Sequence, residues 1–154
     1  VDKRDCNMGT IVENRNAKVQ KLEDSMVGMP LKLDMDTDHY FFGGLYARAL
    51  HIPAGVTLTG KIHKHDHLNF LMKGRISVMT DEGVKELEAP AIIPATKGIK
   101  RAGYAHTDTT WVTVHVSSST TAEEAEEELT EPCEPHIQAA IDAHNKKLEL
   151  GENI

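Results

Sequence analysis

Between residues 40 and 116 the chain consists of short apolar or alternating runs, and each run ends at turn-forming residues. The runs include VTLTGKIH, NFLMKGRISVMT and WVTVHVSS, and segments rich in Gly, Pro and Asp separate them. Runs of this kind are typical of the strands of a β-sandwich or β-barrel. Because no long helical run interrupts them, the pattern argues against βαβ units with a parallel sheet. The sequence therefore predicts an all-β core.

The spacing of apolar residues becomes helical on the N-terminal side of this region. Apolar residues recur at spacings of three and four over residues 17–27, which predicts a short amphipathic helix that ends at Gly28 and Pro30. Residues 1–16 show no periodicity and are expected to form an arm or a loosely attached strand. The polar segment DMDTDHY, residues 34–40, is expected to be a loop, and it lacks the glycine and the distal glutamate of an EF-hand.

The C-terminal part predicts two further helices. Thr120 or Thr121 is a suitable N-cap for the segment EEAEEEL, whose glutamates favour the start of a helix. A second amphipathic helix is expected to begin at Pro135. We therefore divide the chain into an N-terminal arm with a short helix, a β-domain and an acidic helical extension, at residues 1–39, 40–119 and 120–154.

Composition and charge narrow the classes of function. The 154 residues are 40% hydrophobic, as in one globular domain, and no run approaches the roughly 20 apolar residues that span a bilayer. The start VDKRDCNMGT lacks a signal-peptide run, so we expect a cytoplasmic protein. Cys6 and Cys133 lie far apart and form no CxxC pair, which argues against a disulfide framework and a zinc knuckle.

The net charge of −7 is unevenly distributed. Residues 61–101 contain eight Lys or Arg against five Asp or Glu, a net of +3, so the remainder carries −10. This distribution argues against a general nucleic-acid binder, whose domain would be basic overall. It leaves room for a small anionic ligand at the middle segment, although lysines solvated on the outside of a sheet would give the same pattern.

The segment GKIHKHDHLNFLMKG, residues 60–74, is rich in histidine. If it forms a strand, side chains alternate, and His63, His65, His67 and Asn69 point to one face. Neutral imidazoles on one face suit a divalent transition metal such as Fe, Mn, Ni or Zn, and an incomplete ligand set with an open position is typical of catalytic sites. The alternative is a solvated histidine-rich run on an edge strand or loop.

The order of these segments resembles the cupin superfamily, whose fold is a small jelly-roll barrel. PAGVTLTGKIHKHDHLNFLMKG has the layout of the first cupin motif, bracketed by Gly55 and Gly74, and LEAPAIIPATKGIKRAGYAHTDTTWVTVH that of the second, with Pro94 and Gly98 at its turn. The chain also resembles short cupin-type proteins of tailed bacteriophages, in which a GKIH…HLN…KG block precedes a TKR…Y…DT.W..H block. The resemblance implies a single cupin barrel with a short N-terminal helix or arm and C-terminal helices.

The chain departs from the cupin motifs at the metal ligands. Counting back from Gly74, the glutamate position of the first motif is His67, and its two histidine positions fall on Lys61 and His63. The histidine position of the second motif is Arg101, which stays protonated and binds no metal. The resemblance thus favours His63 and His67 as ligands. Further candidates for the metal are His65, His106 and His115.

Arg101 and Lys61 are instead expected to hold an anionic group, a carboxylate or a phosphate, with or without a metal. Alternatively, Arg101 pairs with a carboxylate such as Asp108 at the rim of the barrel. The remaining candidate pocket residues are Asn69, Tyr104, Trp111 and His115.

Three functional hypotheses remain open. The first is a metal-dependent small-molecule enzyme of the dioxygenase, isomerase, epimerase or lyase type, for which the sequence identifies no further catalytic residue. The second is a non-catalytic cupin scaffold, either a ligand-binding protein or a bacteriophage virion component that contacts other virion proteins. The third is a metal-free module with a polar histidine network or an anion pocket. We also expect a homo-oligomer, a dimer formed through sheet edges and terminal segments.

Overall fold

A computed structural model of the protein describes residues 3–27, 29, 35–80 and 82–151, with side chains from Asn14 onward. Within these residues, nine strands and three helices follow one another along the chain. They are α1 (Lys3–Met26), β1 (Thr37–Phe42), β2 (Leu45–Ile52), β3 (Thr57–Thr59), β4 (His67–Lys73), β5 (Arg75–Thr80), β6 (Gly83–Glu88), β7 (Ala91–Ala95), β8 (Ala102–Ala105), β9 (Thr109–Val116), α2 (Ala122–Leu129) and α3 (Pro135–Glu149).

The strands form two antiparallel sheets. The larger sheet has the order β1-β2-β9-β4-β7, and the smaller has the order β3-β8-β5-β6. Side chains from both sheets make one apolar core, in which Leu71 of β4 is fully buried beside Ile76 and Val78 of β5. In β4, Asn69 and Leu71 are buried whereas Leu68 and Met72 are exposed, so the odd-numbered residues face the interior. The prediction of an all-β core of antiparallel strands is confirmed.

Helix α1 is longer than the predicted helix. It extends upstream to Lys3, so the arm or loose strand expected for residues 1–16 is wrong over residues 3–16, and the helix ends at Met26. A polar helix shows little apolar periodicity, which explains why its first half escaped prediction. The expected stop residues Gly28 and Pro30 lie outside the described residues. Although α1 has 24 residues, it is polar, and no helix in the described part of the chain could cross a membrane.

Contacts with the loop before β8 hold α1 on the sheets. Val19 is fully buried, and the Asn16 amide donates to the carbonyl of Gly98 at 2.8 Å while its oxygen accepts from the backbone N–H of Lys100 at 2.9 Å. Glu23 forms an ion pair with the ammonium of Lys100 at 2.7 Å, with both side chains nearly buried. The helix therefore belongs to the same packed unit as the sheets.

Part of the expected polar loop, residues 34–40, is strand instead. β1 begins at Thr37 and pairs with β2 along its whole length, from Thr37 opposite Leu50 to Phe42 opposite Leu45. Its side chains are mostly exposed, because β1 is the edge strand of the larger sheet. An edge strand needs no apolar alternation, and so its polar sequence resembled a loop.

The two C-terminal helices form as predicted. Thr121 is the N-cap of α2, where its hydroxyl accepts from the backbone N–H of Glu124 at 3.2 Å. Ala125 and Leu129 of α2 are buried against Tyr46 of β2. Helix α3 begins at Pro135, as its sequence predicts. The acidic extension therefore packs on the larger sheet.

Candidate metal centre

The histidine-rich segment is bent and does not form one strand. β3 ends at Thr59 and β4 begins at His67, so the intervening residues form a loop. This loop is held by the segment after α2: the backbone N–H of Lys64 donates to the carbonyl of Leu129, and that of Glu131 donates to the carbonyl of Ile62, both at 2.8 Å. The prediction that alternate histidines share one strand face is wrong, because strand parity ends where the loop begins.

The loop instead brings two of its histidines close to a third histidine that lies far along the sequence, in β9. His63 and His67 converge on His115 of β9, and one ligand-capable atom of each lies within 4.8 Å of the others. The Nδ1 atom of His63 is 2.8 Å from the Nε2 atom of His115. The three rings are stacked with centroids 4.3–4.9 Å apart. His115 is buried, and the other two are half-buried.

A backbone carbonyl orients His67. Its Nδ1 atom lies 3.0 Å from the carbonyl oxygen of His65, which can only accept a hydrogen bond. Nδ1 therefore carries the proton, and Nε2 keeps the lone pair that a metal ion needs. Histidine ligands in metalloproteins are commonly held by such a second hydrogen bond. His65 thus contributes its backbone oxygen, while its side chain is exposed.

The three imidazoles are neutral at physiological pH. Burial, the neighbouring His67 and His115, and the Arg48 and Arg101 guanidiniums lower the pKa of His63 to about 3. Burial and the nearby histidines lower the pKa of His115 to about 4. The pKa of His67 is also lowered, chiefly by burial. Neutral imidazole is the form that binds transition metals, so none of the three rings has to lose an imidazolium charge first.

The geometry of the cluster fits a divalent transition metal. Metal–nitrogen bonds of about 2.0–2.1 Å in tetrahedral geometry place ligand nitrogens about 3.3 Å apart. The separations here, from 2.8 Å up to 4.8 Å, reach that value with small ring movements. The Nε2 atom of His115, which faces His63, is the atom that such an ion would contact, whereas its Nδ1 atom, on the other edge of the ring, is buried without a hydrogen-bond partner among the described residues.

Two residues of the cluster, His63 and His67, line a small cavity between the sheets, about 110 Å³ in volume. Cross-strand pairing orders its wall in layers: His115 pairs with Tyr46, then Thr113 with Arg48 and Asn69, then Trp111 with Leu50 and Leu71. Successive layers are two residues apart, about 7 Å along the strands. The wall therefore changes from imidazoles through polar groups to an apolar end.

The structure brings together several of the residues that the sequence singled out. Lys61, Asn69, Arg101 and Trp111 line the same cavity as His63 and His67. The ammonium of Lys61 is neutralised by Glu126 of α2, 2.6 Å away. Burial and the nearby Arg15 guanidinium lower the pKa of Arg101. Asp108 accepts from the backbone N–H of Ala54 at 2.9 Å, and the expected alternative of an Arg101–Asp108 pair does not form.

Three other candidates lie away from the cluster. The exposed side chain of His65 is turned out by the bend of the loop. The Nε2 atom of His106 is 2.6 Å from the hydroxyl of Ser77 in the smaller sheet, and its ring packs edge-on against Tyr104. Tyr104 is 41% exposed and does not line the cavity. None of these three side chains belongs to the histidine cluster within the described residues.

Sequence reasoning missed Arg48 entirely. This residue lies opposite Thr113, and Thr113 lies opposite Asn69, so the three share one layer across β2, β9 and β4. The alternation of LYARALHI, in which Tyr46, Leu50 and Ile52 are buried, was the available signal. It places Arg48 on the cavity side of β2, where its side chain lines the cavity and remains exposed to solvent.

Comparisons with known proteins concern the fold. No protein-family model and no curated protein matches the chain. Similar solved structures include a cupin superfamily protein from Desulfitobacterium hafniense DCB-2, at 8% identity over 58% of this chain and 84% of that one, with a TM-score of 0.48. KdgF from Halomonas sp. is 12% identical over 56% of this chain and 82% of its own, with a TM-score of 0.47. An acetylacetone dioxygenase from Acinetobacter johnsonii is 17% identical over 57% of this chain and 66% of its own, with a TM-score of 0.46.

Two antiparallel sheets with three helices in the described residues are consistent with the cupin fold that the sequence predicts. The fold and the cluster together define a mostly β protein with a candidate three-histidine metal site between its sheets.

Proposed function

We propose that this chain binds a divalent transition metal through His63, His67 and His115 and uses it to act on a small molecule. The observation that carries this proposal is the convergence of three imidazoles, two of which line a cavity. A set of three protein ligands is typical of catalytic metal sites, since it leaves a coordination position open. Structural zinc sites, in contrast, are closed and usually contain cysteine.

The bound ion would supply Lewis-acid catalysis to a small molecule in the cavity. The chain's own residues have separate tasks. The carbonyl of His65 holds the ring of His67 in the tautomer that leaves Nε2 free. Arg101 and Arg48 place positive charge beside the cluster and so favour an anionic substrate. The contacts between the histidine loop and the segment after α2 cover the loop from outside.

Metal analysis of protein purified without a histidine tag tests the proposal. We expect about one Fe, Mn, Ni or Zn ion per chain, either in the protein as purified or after metal has been added back to protein stripped with a chelator. The variants H63Q and H115Q should lose the metal, whereas H106Q, which removes a histidine outside the cluster, should retain it. No stoichiometric binding of any of these ions by the folded wild-type protein would refute a metal function.

One observation favours a non-catalytic role as a second candidate. The residues of the described chain that line the cavity include no Asp or Glu, and the lysine among them is paired with Glu126. General acid–base catalysis therefore has no evident donor besides the histidines. In that case the chain is a ligand-binding cupin scaffold, for which a bacteriophage virion is one setting. Mass spectrometry of purified particles would detect a virion component, whereas a protein confined to the lysate contradicts that role.

A further inference from the structure

The amide of Asn69 has a fixed orientation in the cavity wall. Its Oδ1 atom accepts from the indole Nε1–H of Trp111 at 3.2 Å and from the hydroxyl of Thr113 at 2.9 Å. An indole N–H can only donate, so the atom that faces it must be the amide oxygen. The Asn69 NH₂ group therefore points away from Trp111 and Thr113.

This NH₂ group is a buried donor without an acceptor. Asn69 is 1% exposed, and its Nδ2 atom has no hydrogen-bond partner among the described residues. Leaving a buried donor unpaired costs about 1–3 kcal/mol. Because Asn69 also lines the cavity, an oxygen atom of a ligand bound there could accept a hydrogen bond from this NH₂ group. Its layer lies between the histidine cluster and the apolar end.

Two arginines also line the cavity, and the side chain of Arg101 is half-buried whereas that of Arg48 is exposed. Neither forms an ion pair with a carboxylate in the part of the chain that is described. Lys61 differs, since Glu126 neutralises it. The ligand set of three neutral histidines would leave a divalent ion with its full charge beside these two cations. Such a site is electrostatically incomplete until an anion enters.

The opposite end of the cavity is apolar. Leu50 and Trp111 lie about one layer beyond Asn69, and Ile76 and Val78 of the smaller sheet also line the cavity. The volume of about 110 Å³ is far below the roughly 300–1,000 Å³ of pockets for drug-sized ligands. The cavity therefore fits a ligand with one charged end and a short hydrocarbon body.

We propose that the ligand of this cavity is a small monocarboxylate with a short apolar chain, whose carboxylate accepts from the Asn69 NH₂ group and pairs with Arg101 and Arg48. We also propose that the carboxylate and the metal ion bind cooperatively, and this second part rests on the proposed metal function. The negative carboxylate would offset the positive charge of the arginines that disfavours the metal ion, and the metal ion would in turn attract the carboxylate. By linkage, the metal raises the affinity for the carboxylate by the same factor as the carboxylate raises that for the metal.

Fluorescence of Trp111, the single tryptophan of the chain, provides a direct readout. Butanoate would be titrated into chelated protein and into Zn²⁺-loaded protein, with butanamide and inorganic phosphate as comparison ligands. We expect saturable binding of butanoate, at least tenfold tighter with Zn²⁺ present, and much weaker binding of the other two. The converse titration of Zn²⁺, with and without butanoate, should give the same factor.

Two variants test the assigned contacts. N69D keeps an oxygen for Trp111 and Thr113 but replaces the NH₂ donor by a negatively charged oxygen, so butanoate affinity should fall by more than tenfold. R101Q should weaken butanoate binding to a similar extent. The control R75Q also removes one positive charge, but Arg75 is an exposed partner of Glu86 outside the cavity, and butanoate affinity should not change. Thermal melts establish that each variant is folded.

The outcomes separate the two proposals. If Zn²⁺ binds but butanoate does not, the carboxylate inference is overturned and the metal function stands. If butanoate binds while no transition metal does, the metal function and the cooperativity are overturned, and the carboxylate pocket stands. Equal binding of butanamide and butanoate, or unchanged butanoate binding by both folded N69D and R101Q, overturns the anion assignment.

Discussion

The neutral histidine cluster should make the metal-free protein sensitive to mild acid. In the folded chain the pKa values of His63 and His115 are lowered from 6.5 to about 3 and about 4. In the unfolded chain both groups have ordinary pKa values near 6.5. Between pH 6.5 and pH 4 the unfolded chain therefore binds protons that the folded chain does not. By linkage, the free energy of unfolding falls as the pH falls through this window.

The magnitude follows from the two pKa shifts. At pH 5.5, one unit below the unfolded pKa, each histidine lowers the free energy of unfolding by about 1.4 kcal/mol, and at pH 7.5 by almost nothing. Since both remain neutral in the folded chain at pH 5.5, His63 and His115 together lower the free energy of unfolding by about 2–3 kcal/mol at that pH. A small domain has about 5–15 kcal/mol in total, so the loss is readily measured.

Urea unfolding of the metal-free protein at pH 7.5, 6.5 and 5.5, monitored by the fluorescence of Trp111, measures this loss of stability. The double variant H63Q/H115Q should lose less stability over the same range, by the amount that the two histidines contribute. The variant H136Q removes an exposed histidine next to Asp24 and serves as the control. The reasoning is refuted if wild type and H63Q/H115Q show the same pH dependence, or if wild type becomes more stable in acid.

Three further predictions concern the fold and assembly. G74A should be strongly destabilising in a thermal melt, because Gly74 has φ of +89° and a Cβ there would lie 2.3 Å from the carbonyl oxygen of Asp108. K100M should cost about 3–5 kcal/mol in urea unfolding, because it leaves the nearly buried Glu23 without its partner. We propose a homodimer formed through sheet edges, which F42K on the exposed edge strand β1 should dissociate in light scattering; monomeric wild type at micromolar concentration would contradict it.

Sequence reasoning succeeded where local chemistry determines local structure. The alternating runs between turn residues predicted the strands, because residues on the two faces of a sheet meet different environments. Thr121 was a candidate N-cap, since a threonine hydroxyl before a glutamate-rich turn satisfies a free backbone N–H. The first half of α1 and the edge strand β1 escaped prediction because neither needs a regular apolar pattern.

The histidine cluster required information that local spacing does not contain. His63 and His67 are four residues apart, and a loop rather than strand alternation brings them together. His115 was recognised as a possible contributor, but only the pairing of β4 with β9 shows why it meets His67. In that register Leu68 lies opposite Val114 and Asn69 opposite Thr113, so His67 lies level with His115. Register between distant strands is a tertiary property, which one sequence does not reveal.

The acidic extension shows how tertiary contacts change the meaning of a charge pattern. The sequence predicted a capped helix over its glutamates and grouped Lys61 with Arg101 as residues expected to hold an anion. Helix α2 breaks that equivalence, because Glu126 reaches Lys61 whereas no carboxylate in the described chain reaches Arg101. The positive charge left in the cavity is therefore carried by Arg101 and Arg48. An E126Q variant should free Lys61 and tighten anion binding, a change that a purely solvated tail would not produce.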